Sequence, residues 1–145
     1  METVSESIAI GAPPERVFAI AGSYENDPRW RGSVTTMRQD PAGAVAAGTK
    51  LHEVAKFLGM KVEMKARVDE VQPGRRVAYT STSTPKPVRG WRDFAPEGDG
   101  TLVTIGVEVV AGGSLGGVEG LIAKAVRREV KSELKALKAL CETKG

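Results

Sequence analysis

The chain has 145 residues, 41% of them apolar and 27% charged, the make-up of one folded domain that buries enough surface to need no disulfide or metal. One cysteine and one histidine exclude an intrachain disulfide and a zinc site of the usual ligand set, and no apolar run approaches the ~18 residues of a membrane span. The net charge of +3 is dispersed among 18 acidic residues, so no nucleic-acid partner and no cofactor is expected, and an N-terminus lacking a basic start and apolar core reads as cytoplasmic.

Thr3–Ile10 alternates loosely, with Val4, Ile8 and Ile10 on one face, and predicts a first strand. Gly11-Ala12-Pro13-Pro14-Glu15 stops it and opens a short helix, since proline fits a first helical turn and Glu15 suits the positive end of the dipole. Ser23–Trp30 follows as a second short helix or turn. Six further strands are predicted at Val34–Arg38, Thr49–Phe57, Met60–Val71, Val77–Thr82, Val88–Ala95 and Thr101–Ala111, separated by Gly- or Pro-bearing breaks. The short connections imply antiparallel neighbours. The glycine-rich run Gly112–Gly117 then joins the sheet to a long helix ending near Thr143, with Ser114 as a candidate cap. That helix carries a single apolar stripe: Val118, Ile122, Val126, Val130, Leu134, Leu137 and Cys141.

This order gives an α+β fold: a curved seven-stranded antiparallel sheet, two short helices and one long C-terminal helix. The helix has only this sheet to cover its stripe, and a sheet of that width must twist and curl around it. A helix crossing a bent sheet leaves a hollow, and with aromatics at 5% an apolar ligand cavity is expected there.

The sequence resembles the START and birch-pollen-allergen superfamily, often called SRPBCC, in its polyketide cyclase/dehydrase-like branch. The resemblance is carried by Ile10-Gly11-Ala12-Pro13-Pro14-Glu15-Arg16-Val17-Phe18, Trp30, Gly48-Thr49, Val68-Asp69-Glu70-Val71-Gln72-Pro73-Gly74-Arg75-Arg76, Gly98–Thr104 and Leu134–Leu140. It spans essentially the whole chain and implies a helix-grip fold. The motifs are turns, caps and core positions, so they speak for fold more than for function.

If Leu58-Gly59 is a two-residue hairpin turn, Phe57 opposes Met60, Ala55 opposes Val62 and Glu53 opposes Met64. Leu51, Glu53, Ala55 and Phe57 then face the cavity together with Val62, Met64, Ala66 and Val68. Glu53 would be a carboxylate in apolar surroundings, its pKa raised by desolvation, serving as polar anchor or general base; alternatively it points outward and pairs with a lysine. A turn one residue longer would place His52 inside instead. Tyr79 could orient a ligand carbonyl or simply pack in the core. Trp91 and Arg89 share one strand parity, and only one parity of that strand faces inward. Trp30 suits a lid residue, and Val126 and Val130 the helix wall. Glu129 and Glu133 fall within the helix's apolar arc, either rimming the cavity mouth or at a solvated edge. Lys124, Arg127, Arg128, Lys131, Lys135 and Lys138 form a basic stripe opposite, usually a solvated face and otherwise suited to an anionic membrane.

These residues point first to a carrier or sensor of a small apolar or amphipathic molecule. A polyketide cyclase or aromatase using Glu53, Tyr79 or His52 is the second expectation. A protein- or membrane-interaction module using the basic helix face is the third.

Overall fold

Apolar–polar alternation in seven segments and a helical apolar period in the last become a sheet and a helix that cover one another. The computed structural model describes residues 2–109 and 118–143, with only the backbone of Val118 and Glu119. Its strands are β1 (Glu2–Ile10), β2 (Val34–Asp40), β3 (Lys50–Phe57), β4 (Met60–Gln72), β5 (Arg76–Ser81), β6 (Arg89–Glu97) and β7 (Gly100–Val109). Helix α1 covers Pro14–Ala21 and α2 covers Val118–Glu142. Between Ser23 and Trp30 the chain forms a 3₁₀ helix, Tyr24–Arg29. The glycine-rich connection, with Ser114, lies outside the described residues.

All seven strands pair antiparallel in the order β1-β7-β6-β5-β4-β3-β2. Register shifts between Val34 and Thr36 and between Val68 and Glu70 mark bulges, which bend a strand and tighten its twist. The hairpin joining β3 to β4 turns through Leu58-Gly59, so Phe57 pairs with Met60, Ala55 with Val62 and Glu53 with Met64. The register that would bring His52 inside is not adopted.

The concave face and the helix meet in one core. Val68, Val77, Phe94 and Val103 from the sheet pack with Val130, Leu134, Leu137 and Cys141 of α2, each at most 5% exposed. Each such side chain contributes about 1.5–3 kcal/mol relative to exposure. Burial pushes the Cys141 thiol up to about 11, which leaves it a small apolar core group. Arg16 of α1 locks the far end of α2 by donating to the carbonyls of Cys141 at 2.8 Å and Thr143 at 2.6 Å. The Gly11 amide donates to Glu142 Oε2 at 2.7 Å beside them.

Two glycines make room for aromatic rings on opposite faces. A Cβ at Gly90 would lie 2.4 Å from the Tyr79 ring, and one at Gly106 would lie 2.1 Å from the Trp91 ring. Arg92 and Phe94 are buried, so the alternating position Trp91 belongs to the convex face, where the Arg76 guanidinium stands 5.9 Å over its ring.

Candidate functional site

The 3₁₀ helix closes one end of the sheet and presents Asp27 to it, with no exposed surface at all. A carboxylate can be buried so completely only if it is paired and hydrogen-bonded. Arg92 supplies the pair from β6, donating Nη1 to Oδ1 at 2.9 Å and Nη2 to Oδ2 at 2.6 Å, while Nη1 also reaches the Ala21 carbonyl at 2.9 Å. Its guanidinium lies between two aromatic rings, 4.5 Å from the centroid of Tyr24 and 4.8 Å from that of Trp30. Planar, always charged and weakly hydrated, arginine suits this sandwich where lysine would not.

Arg31, just after the 3₁₀ helix, extends the network. Its Nη1 donates to Asp27 Oδ2 at 3.0 Å and to Glu53 Oε1 at 2.6 Å, and its Nε to Glu133 Oε2 at 3.2 Å. Burial opposes the charge on Arg31, but Glu53, Glu133 and Asp27 more than offset it and hold the guanidinium firmly protonated. Three carboxylates therefore share two arginines, a formal excess of one negative charge when all are ionised. Burial pushes the Glu133 carboxyl above its ordinary range; Arg31 pulls it back in part and neighbouring Glu129 pushes it further up.

Beside this network lies a cavity of about 110 Å³, whose lining includes the polar-bearing Trp30, Arg31, Tyr79, Arg92, Glu129 and Glu133 and the apolar Ile105, Val107, Val126 and Val130. Burial, with Glu53 nearby, pushes the Tyr79 hydroxyl up to about 12, so at neutral pH it is a donor. Two buried polar atoms have no hydrogen-bond partner among the described residues: the Tyr24 hydroxyl and the Trp30 indole N–H. Nearly all buried donors in folded proteins are satisfied, so both are places for a partner from outside the described residues.

The expected apolar hollow is thus smaller and more polar than its sequence suggests, because ion-paired side chains fill one end. Of the residues expected to line it, Trp30, Tyr79, Trp91, Val126 and Val130 belong to the wall, although the Trp91 ring lies on the convex side. Leu51 and Ala66 are buried in the core and Met64 packs against it, away from the cavity wall. Phe57 and Val62 sit near the hairpin tip, where Phe57 lines a separate groove against α2 and Val62 is 44% exposed. Glu53 points inward without lining the cavity, and the premise of a lone carboxylate fails because Arg31 pairs with it. His52 faces outward, bonded to Glu63 at 3.2 Å, and Arg89 is exposed. On α2, Arg127 and Lys131 both pair with Glu6 of β1, which neutralises part of the basic stripe.

Arg31 and Arg92 were not among the residues expected from sequence. Arg92 had a signal: it shares strand parity with Phe94, and a charge on a buried face requires a partner. Arg31 had one local signal, its spacing of four from Asp27, but nothing local points to Glu53 or Glu133.

A family model described as polyketide cyclase/dehydrase and lipid transport matches residues 1–142. No curated protein matches the sequence. Among solved structures, TTHA0849 from Thermus thermophilus is similar at 26% identity and a TM-score of 0.79, with 97% of each chain covered. A START superfamily protein from Mycobacterium smegmatis superposes with a TM-score of 0.80 at 16% identity, again over 97% of each chain. The di-domain ARO/CYC protein BexL of the BE-7585A biosynthetic pathway gives a TM-score of 0.80 at 18% identity, over 99% of this chain and 51% of its own. The last two likenesses are likenesses of fold.

Proposed function

The chain belongs to the polyketide cyclase/dehydrase and lipid transport family, and from that premise we propose that it is a cytoplasmic carrier or sensor whose cavity holds the oxygen-bearing end of a small amphipathic molecule. The observation that carries this reading is that Trp30, whose buried indole N–H has no acceptor among the described residues, is one of the residues lining the cavity. An unmet buried donor costs about 1–3 kcal/mol, and a ligand oxygen would recover much of it. Tyr79 offers a second donor, and Val126, Val130, Ile105 and Val107 an apolar bed for the attached carbon chain. A volume of about 110 Å³ accommodates a head group rather than a whole polyketide or lipid, for which pockets of roughly 300–1,000 Å³ are usual. A longer molecule would need α2 to lift from β7.

Native mass spectrometry of the freshly purified protein, followed by denaturing release, should find a small molecule bearing a carbonyl or carboxyl group. Trp30→Phe keeps the ring and removes the N–H, and should weaken binding of that molecule about tenfold while sparing wholly apolar probes. Equal affinity in the variant would overturn the reading.

A second reading, an enzyme of the cyclase type, is favoured by Glu133, which lines the cavity with Tyr79 and whose raised pKa suits a proton donor. His52, on the outer face, has no part in it. Glu133→Gln should then lower turnover by ~10²-fold or more with binding nearly intact.

A further inference from the structure

The large apolar side chains exposed among the described residues gather at one end of the molecule. Leu58 and Met60, at the β3–β4 tip, are each 69% exposed, and Leu121, near the start of α2, is also 69% exposed. Leu58 and Phe57 share a groove of about 350 Å³ with Ala125, Arg128 and Glu129 of α2, and Leu121 lies one helical turn before Ala125 on the same helix face. Tip and helix thus form one surface.

Three features of that surface run against stability. Leu58 has a φ of +52°, a left-handed conformation that side chains other than Asn, Asp and Gly avoid. Gly59 follows at +78°, so both turn residues have positive φ, the pattern for which Asn-Gly is the favoured pair. A leucine there is both strained and exposed. One rung behind, Lys56 and Lys61 face each other directly across the hairpin, like charges that repel and of which Glu63, 3.5 Å from Lys61, offsets one in part. Arg128 and Lys124 continue this basic collar on α2, both exposed.

We infer that the Leu58 tip, with Leu121 and the collar of Lys56, Lys61, Lys124 and Arg128, docks on an anionic lipid bilayer. The apolar tip enters the headgroup region while the bases meet lipid phosphates, as amphipathic surface anchors do. Charge selects this occupant over a second copy of the chain, because an isologous contact would set collar against collar. Glu129 borders both groove and cavity, but none of the tip and collar residues lines the cavity, so this inference stands or falls without the ligand reading.

The test is sedimentation with vesicles of equal parts phosphatidylcholine and phosphatidylglycerol, beside vesicles of phosphatidylcholine alone. The wild-type protein should bind the anionic vesicles and bind the neutral ones far more weakly. Leu58→Asn creates the preferred turn pair, so its melting temperature should be equal or higher, yet its partition onto anionic vesicles should fall about tenfold. The Lys56→Gln, Lys61→Gln double variant should lose the preference for anionic vesicles. Absence of wild-type binding, or equal binding by Leu58→Asn, would overturn the inference. So would a concentration-dependent dimer in light scattering that Leu58→Asn abolishes, which would assign the tip to a second copy.

Discussion

His52 and Glu53 are adjacent in β3, yet each belongs to a pair of opposite character. Glu53 turns to the concave face and pairs with Arg31 at 2.6 Å, its side chain 12% exposed. His52 turns to the convex face and bonds Glu63 at 3.2 Å, with 38% and 52% of those side chains exposed. The partner atoms are similar and the distances comparable, so what differs is water. On the outer face solvent screens the charges and competes for each hydrogen bond. On the inner face the guanidinium is the main compensation the carboxylate has, and removing either partner strands the other.

The largest effect should come from the deepest part of the inner network. Arg92→Met keeps the apolar stem but leaves fully buried Asp27 with Arg31 alone, and should cost about 3–5 kcal/mol in chemical denaturation. A loss below ~1 kcal/mol would mean that Arg31 can carry Asp27 unaided and that burial on the inner face demands less compensation. Glu53→Gln comes next, destabilising by about 1.5–3 kcal/mol. This is the opposite of what a lone carboxylate in an apolar hollow would do, for there the amide would be neutral or stabilising.

Glu133→Gln should produce a smaller effect of the other sign, and one that depends on pH. Its raised pKa means the folded state prefers the protonated form, so the wild-type protein is most stable below the unfolded carboxyl pKa of about 4.3 and loses stability as pH rises toward the folded value. The glutamine variant lacks that titration. Its stability relative to wild type should therefore be unchanged in acid and should improve through the weakly acidic range to a plateau. A difference that does not vary with pH would show Arg31 fully compensating the charge.

The smallest effect belongs to the outer pair. His52→Ala should leave the melting temperature unresolved from wild type, since Glu63 keeps Lys61 at 3.5 Å and stays half-exposed to water. A clear loss would break the contrast between the two faces.

Much of the scaffold was legible in the sequence. Predicted strand bounds lie within two residues of those observed, apart from the expected end at Ala111, which lies outside the described residues, because alternation and Gly/Pro breaks are local signals. The β3–β4 register was legible too, since a two-residue turn leaves one pairing and that pairing puts Leu51 and Ala55 inside. For the site, parity in β5 gave Tyr79 an inward direction, and the α2 period put Glu133 in the apolar arc. The two arginines that organise the polar end were missed: Arg92 donates to Asp27, 65 positions away, and Arg31 to Glu133, 102 positions away. No local period encodes such contacts.

The sequence alone therefore determined which residues share a face, because side-chain direction follows from strand and helix geometry and from the length of the turns between them. Only the tertiary structure decided what each face encounters. Whether Glu53 meets apolar carbon or a guanidinium, whether the hollow stays empty or fills with ion pairs, and how the Trp30 N–H comes to lack an acceptor among the described residues all depend on where non-adjacent elements come to rest. A cavity is the small difference between the space a curved sheet and its helix enclose and the volume of the side chains that fill it, and that difference is set by packing in three dimensions.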